Sequence, residues 1–170
     1  MKLSGHTSPQ AIYATTVTFT TLAFIAVLAR LYTRLFIIRQ QGLDDLFIVL
    51  GCAFFVCMSA AIGKQTEYGM GRHLDELTGR QFMNALMWLW CSVWAYYAAL
   101  AFIKLSILLQ YLRLFPNPRF RVMCWVLVGI ISVWSVWAIC SAVFMCTPIA
   151  YFWEHPSLNS KQCFDRLTVW

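Results

Sequence analysis

The sequence predicts an all-α fold: a multi-pass transmembrane helical bundle with four complete spans and the start of a fifth. Three observations predict it. Charged residues make up only 12% of the 170 positions, against roughly 25% in a soluble domain. Apolar residues reach 61% and aromatic residues 16%. The few charges gather in short clusters that separate long apolar tracts, and about 20 helical residues at a rise of about 1.5 Å cross a hydrocarbon core of about 30 Å. Residues 1–170 therefore read as a single membrane domain.

The first span is expected over 11–29, a tract without charge. It exceeds the roughly 7 to 15 residues of a secretory h-region, so it reads as a retained anchor. Arg30, Arg34 and Arg39 follow it as a stop-transfer flank. After a turn around Gln40, Gln41 and Gly42, Asp44 and Asp45 open the second span, expected over 46–63. Acidic side chains suit a helix start, where free N–H groups and the positive end of the dipole meet them. Residues 64–80 form a polar connection containing Tyr68-Gly69-Met70-Gly71-Arg72-His73, Asp75 and Glu76. Its glycines lack the preceding strand that a nucleotide-binding fingerprint needs. The group around His73 reads as a solvated charge cluster.

The third span is expected over 82–109, inside an apolar tract broken only by Lys104. Pro116-Asn117-Pro118 ends it, because proline removes a backbone donor. The fourth span is expected over 122–144, and a fifth begins near 167 after another polar segment. Trp88, Trp90, Trp125 and Trp153 fall near span boundaries, where amphipathic rings prefer to lie. Trp134 and Trp137 lie within the fourth tract and are expected to pack between helices.

A net charge of +6 does not signal nucleic acid, because the basic residues form neither a run nor a continuous face. They read as topology signals and contacts to lipid headgroups, which makes the bilayer the expected partner. The cysteines stand at 52, 57, 91, 124, 140, 146 and 163, without a C-x-x-C pair or zinc-ligand spacing. No metal, cofactor or catalytic residue is expected, and the protein is not expected to be an enzyme. A membrane thiol oxidoreductase would need a paired redox motif, whereas four residues intervene between Cys52 and Cys57 and five between Cys140 and Cys146. A transporter half acting as an oligomer is a further alternative, with no internal repeat or broken helix to support it.

Lysines and arginines divide equally between the two sets of loops, so the first helix decides orientation. Three arginines follow it and Lys2 alone precedes it, which makes the first loop cytoplasmic and the N-terminus extracellular. Cys146 and Cys163 then share an outer loop, where an oxidising compartment allows a disulfide between them.

Lys104 is the ionisable residue inside an apolar tract, where a mid-bilayer lysine costs roughly 2.5 to 3.5 kcal/mol. About 22 residues separate it from the start of its helix, a path of about 33 Å that carries it to the inner interface. Asp44 and Asp45 start the second helix at that depth. Two readings stand: Lys104 snorkels to the headgroups, or it forms an inner-interface ion pair with Asp44 or Asp45 that locks two helices. Tyr97 lies seven residues earlier, on the same face.

Several segments together carry a family likeness. They are Arg30-Leu31-Tyr32-Thr33-Arg34, Gly42-Leu43-Asp44-Asp45, the Tyr68–His73 segment, Lys104-Leu105-Ser106-Ile107-Leu108-Leu109, Tyr111-Leu112-Arg113-Leu114-Phe115, Cys146-Thr147-Pro148, Trp153 and Cys163. In this order they resemble the fungal rhodopsin-domain integral membrane proteins, a seven-helix, receptor-like family. The resemblance implies an outer N-terminus, a plasma-membrane location, an extracellular cue of unknown chemistry, and a cytoplasmic signalling partner or oligomer engaged through the first and third loops. The chain departs from the family in length, and reads as truncated after the fourth helix. Lys104, near the interface, is badly placed for a retinal Schiff base, so no chromophore is expected.

Overall fold

The computed structural model describes residues 9–39, 42–69, 78–144 and 146. Four helices are present: α1 (Pro9–Tyr32), α2 (Leu43–Glu67), α3 (Gly79–Leu114) and α4 (Pro118–Val143). A π-helical turn, Thr33–Ile38, extends α1. All four are long and apolar enough to cross a membrane, and no strand occurs among the described residues. The helices run past the uncharged tracts, because backbone hydrogen bonding continues through the headgroup region once a helix has started. The polar residues Lys64 to Glu67 are thus helical rather than part of the connection. The expected start of a fifth span near 167 lies outside the described residues.

Local chemistry accounts for the helix ends. At the start of α2, Asp45 Oδ2 accepts the Gly42 N–H at 3.3 Å. Gln81 Oε1 accepts the Thr78 N–H at 3.2 Å before α3. Asn117 Oδ1 accepts the Arg119 N–H at 3.1 Å, and Pro118 sits where its missing N–H costs nothing. Within α1, the hydroxyls of Thr15, Thr18, Thr20 and Thr21 donate to carbonyls one turn back. Lipid offers these groups no partner, so the helix supplies its own. The π turn closes with Arg39 in the left-handed region, φ 52°.

Packing is uneven. The α2–α3 pair carries most of the interface, α4 lies against α3, and α1 leans on α2. Gly51 lets α2 approach closely: a Cβ there would stand 2.9 Å from Ile103 Cγ1 and 3.4 Å from its backbone nitrogen. Beside this contact Phe54 stacks on Phe102 at 5.5 Å and meets the edge of Trp94 at 6.0 Å. Gln65 bridges to α3 by donating to the Trp88 carbonyl at 3.1 Å and to Ser92 Oγ at 3.0 Å. Small residues are buried on both α3 and α4, Ala98 and Ala101 on the first and Ala138 and Ala142 on the second. They let backbones come close in a medium that gives no hydrophobic drive between helices. The outer faces are apolar. Trp137, expected to pack between helices, is instead 68% exposed and Val133 is 73% exposed, surfaces that suit lipid.

Gly51→Leu is expected to destabilise the detergent-solubilised protein by about 1 to 3 kcal/mol through overpacking against α3. Gly129→Leu, at a site with no neighbour within 4 Å, should leave the thermal midpoint in place. Equal midpoints for the two variants would contradict the close α2–α3 approach.

Candidate functional site

One end of the bundle holds a cluster of charge drawn from three helices. Arg30 belongs to the last turn of α1 and Arg34 to the π turn one helical step further. Asp44 and Asp45 lie in the first turn of α2. Ser106 and Arg113 stand seven residues apart on α3, two turns along one face. Asp44 is the common partner. Its Oδ2 lies 3.3 Å from Arg30 Nη2 and 3.1 Å from Arg34 Nη2, and its Oδ1 lies 3.6 Å from Arg113 Nη1. Ser106 Oγ donates to the Asp44 backbone carbonyl at 2.7 Å and accepts from Arg30 Nη2 at 3.3 Å.

Burial makes these contacts matter. Asp44 is 3% exposed and Ser106 is fully enclosed. A carboxylate taken from water loses several kcal/mol of solvation, and here the guanidinium groups and the start of α2 replace it. Gly42 is required for this arrangement, since a Cβ at that position would collide with the Asp44 carboxylate and lie 2.8 Å from Arg113 Nη1. The cluster also contains a slack contact. Arg30 Nε and Asp45 Oδ1 face each other at 3.8 Å, and both are buried without a hydrogen-bond partner. Three arginines against two aspartates leave one net positive charge.

The expected pairing of Lys104 with Asp44 or Asp45 is corrected by this geometry. Ser106 faces the aspartates, and two residues turn a helix by about 200°, so Lys104 points away from them toward α4. Its ammonium lies 5.1 Å from the ring centroid of Trp134. Trp134 in turn meets Tyr97 edge-on at 6.5 Å, so Tyr97 and Lys104 do share a face. Arg30, Arg34, Arg113 and Ser106 are the residues that reading the sequence by charge and topology misses. The four-residue step from Arg30 to Arg34, and the seven-residue step from Ser106 to Arg113, are the signals that point to them.

Cys146 is disulfide-bonded. Cys163, its expected partner, lies outside the described residues, as do His73, Asp75 and Glu76. Cys52, Cys57, Cys91, Cys124 and Cys140 are free thiols. Among the described residues no three His, Cys, Asp or Glu side chains come together as metal ligands.

A family model described as "Fungal rhodopsin domain" matches residues 29–170. The matched stretch contains every residue of the charge cluster. No curated protein and no solved structure matches the chain.

Asp44→Ala is expected to cost about 3 to 5 kcal/mol, because it leaves buried guanidiniums without their anion. A double-mutant cycle between Arg34→Ala and Asp44→Ala should give a coupling of about 1 to 3 kcal/mol, and the cycle between Lys104→Ala and Asp44→Ala a value within about 0.5 kcal/mol of zero. Chemical unfolding in mixed micelles measures both. Strong Lys104–Asp44 coupling would reverse the assignment.

Proposed function

The chain belongs to the fungal rhodopsin-domain family, and from that premise we propose that this membrane protein is a receptor-like sensor rather than an enzyme. It takes an extracellular cue and passes a change in helix packing to a cytoplasmic partner through the first and third loops. The N-terminus is extracellular in this reading, and the membrane is the plasma membrane. No cofactor is used.

The observation that supports it best is the buried Asp44 carboxylate shared by arginines from α1 and α3. A signalling protein needs two packings separated by a few kcal/mol, so that the minor one is populated at roughly 0.1 to 10%. A half-buried ion cluster suits this requirement. Closed, it gains Coulomb energy and regains part of the lost solvation; open, its arginines reach water and lipid phosphate, and the carboxylate reaches water. The two states exchange large terms of opposite sign, and their difference is small. A cue that binds the open packing more tightly shifts the population by its differential affinity and no further.

The test places spin labels, carried on genetically encoded ketone residues, at Leu35 and Leu114, both exposed beside the cluster. In nanodiscs, Asp44→Asn is expected to move the distance distribution outward by on the order of 5 Å, the scale of a one-turn shift. An unchanged distribution would remove the cluster as a lock. Orientation is checked separately: a tag before Pro9 should be open to protease on intact cells, and one inserted at Asn117 only after permeabilisation. The opposite pattern would overturn the proposed topology.

A further inference from the structure

At the end of the bundle away from the charge cluster, α1 and α2 part to leave a cleft of about 280 Å³. Thr16, Val17, Thr20, Val56, Ser59 and Ala60 are among the residues that line it. The two helices touch on either side of the gap. Tyr13 donates its hydroxyl to the Gly63 carbonyl at 3.0 Å, and Thr20 and Ser59 share a hydrogen bond at 2.8 Å. Small side chains on both helices would ordinarily let the backbones close, yet here the space stays open between two polar fasteners.

A count of the hydroxyl groups identifies what fits. The Thr20, Thr21 and Thr66 hydroxyls each donate to a carbonyl of their own helix, the Ser59 proton is taken between Thr20 Oγ and the Phe55 carbonyl, and that of Tyr13 is given to Gly63. Among the residues lining the cleft, Thr16 alone has a hydroxyl with no protein partner. A ligand with several acceptor groups would find a donor for one of them and leave the rest unmatched, at a cost of about 1 to 3 kcal/mol each. A purely apolar one would leave Thr16 unused. The geometry points to a binding site for an elongated lipophile carrying a single oxygen function, of the class of a medium-chain alcohol. At a water-like share of roughly 30 Å³ per non-hydrogen atom, the space holds on the order of ten such atoms. The cleft as a binding site stands apart from the receptor reading; only its identity as the seat of the cue rests on that reading.

The test uses the full chain in phospholipid nanodiscs and a decanol probe bearing a diazirine, photolysed and mapped by peptide mass. Labelling is expected to saturate on peptides covering residues 12–21 and 56–66, and 1-decanol should displace the probe about threefold to tenfold better than decane, the value of one hydrogen bond. Thr16→Val should erase that preference while labelling persists. Ala60→Phe should abolish labelling by filling the cleft; Val17→Trp fills it from the other helix should the first variant fail to fold. Labelling that rises linearly with probe, or that decane displaces as well as decanol does, marks ordinary lipid contact and overturns the site. Saturable labelling that leaves the Leu35–Leu114 distances unmoved keeps the site and removes it as the seat of the cue. Failure of the Asp44→Asn experiment bears on the lock alone.

Discussion

Lipid hydrocarbon gives a charged group nothing to bind, so a carboxylate buried in the bundle must find its counter-charges within the protein. Asp44 meets that requirement by drawing arginines from the end of α1 and from α3 onto the first turn of α2. The register of three helices is thereby set at one depth. Arg30 and Arg34 reach the carboxylate together only with α1 at its present height, and Ser106 bonds the Asp44 carbonyl only with α3 at its own. The absent side chain of Gly42 belongs to the same constraint, because the carboxylate and Arg113 occupy the space a Cβ would take.

Away from that end, cohesion is unequal. Helices α2 and α3 interlock through Gly51, the Phe54–Phe102 stack and the Gln65 bridge, contacts that are short, directional and spread along the helices. Helix α1 has none of this density. Apart from Thr16, its threonines satisfy themselves, its apolar side chains face outward, and it is fastened at Tyr13, at Thr20 and at the arginines. Ordered elements with few buried contacts are the ones able to move at low cost. The bundle therefore divides into a stiff α2–α3 pair, with α4 laid against it, and a rod attached at discrete points.

Much of the architecture is legible in the sequence, because span length and charge exclusion act on single tracts. Residues 11–29 and 46–63 lie inside α1 and α2 for that reason. The site is less legible. The placement of Asp44 and Asp45 at the start of α2 follows from local chemistry, but their partners follow from rotation about α3, and two residues of rotation separate a lysine that faces α4 from a serine that faces Asp44. A rule that treats arginines after a span as topology signals also hides their second use, since one guanidinium can mark the cytoplasmic side and bind a carboxylate. Trp137 shows the same limit: hydrophobicity alone does not distinguish a side chain that packs from one that meets lipid.

Joining these features gives α1 a mechanical role. From Thr21, at the inner edge of the cleft, to Arg30 is about 13 Å of continuous helix, and an α-helix over that length transmits a tilt rather than absorbing it. A molecule wedged between α1 and α2 at the cleft must work against the Thr20–Ser59 hydrogen bond, a neutral contact worth about 1 kcal/mol. The far end is held by the ion cluster, one of whose contacts, Arg30 Nε to Asp45 Oδ1, is too long to be a hydrogen bond. The weakest fastener thus lies beside the cleft, and the most charge-dependent one lies at the other end of the same helix, the end that is cytoplasmic in the proposed topology. That order along a single helix is what a lever needs, and it arises because the membrane forces hydroxyls to be spent locally while it forces charges to be gathered from afar.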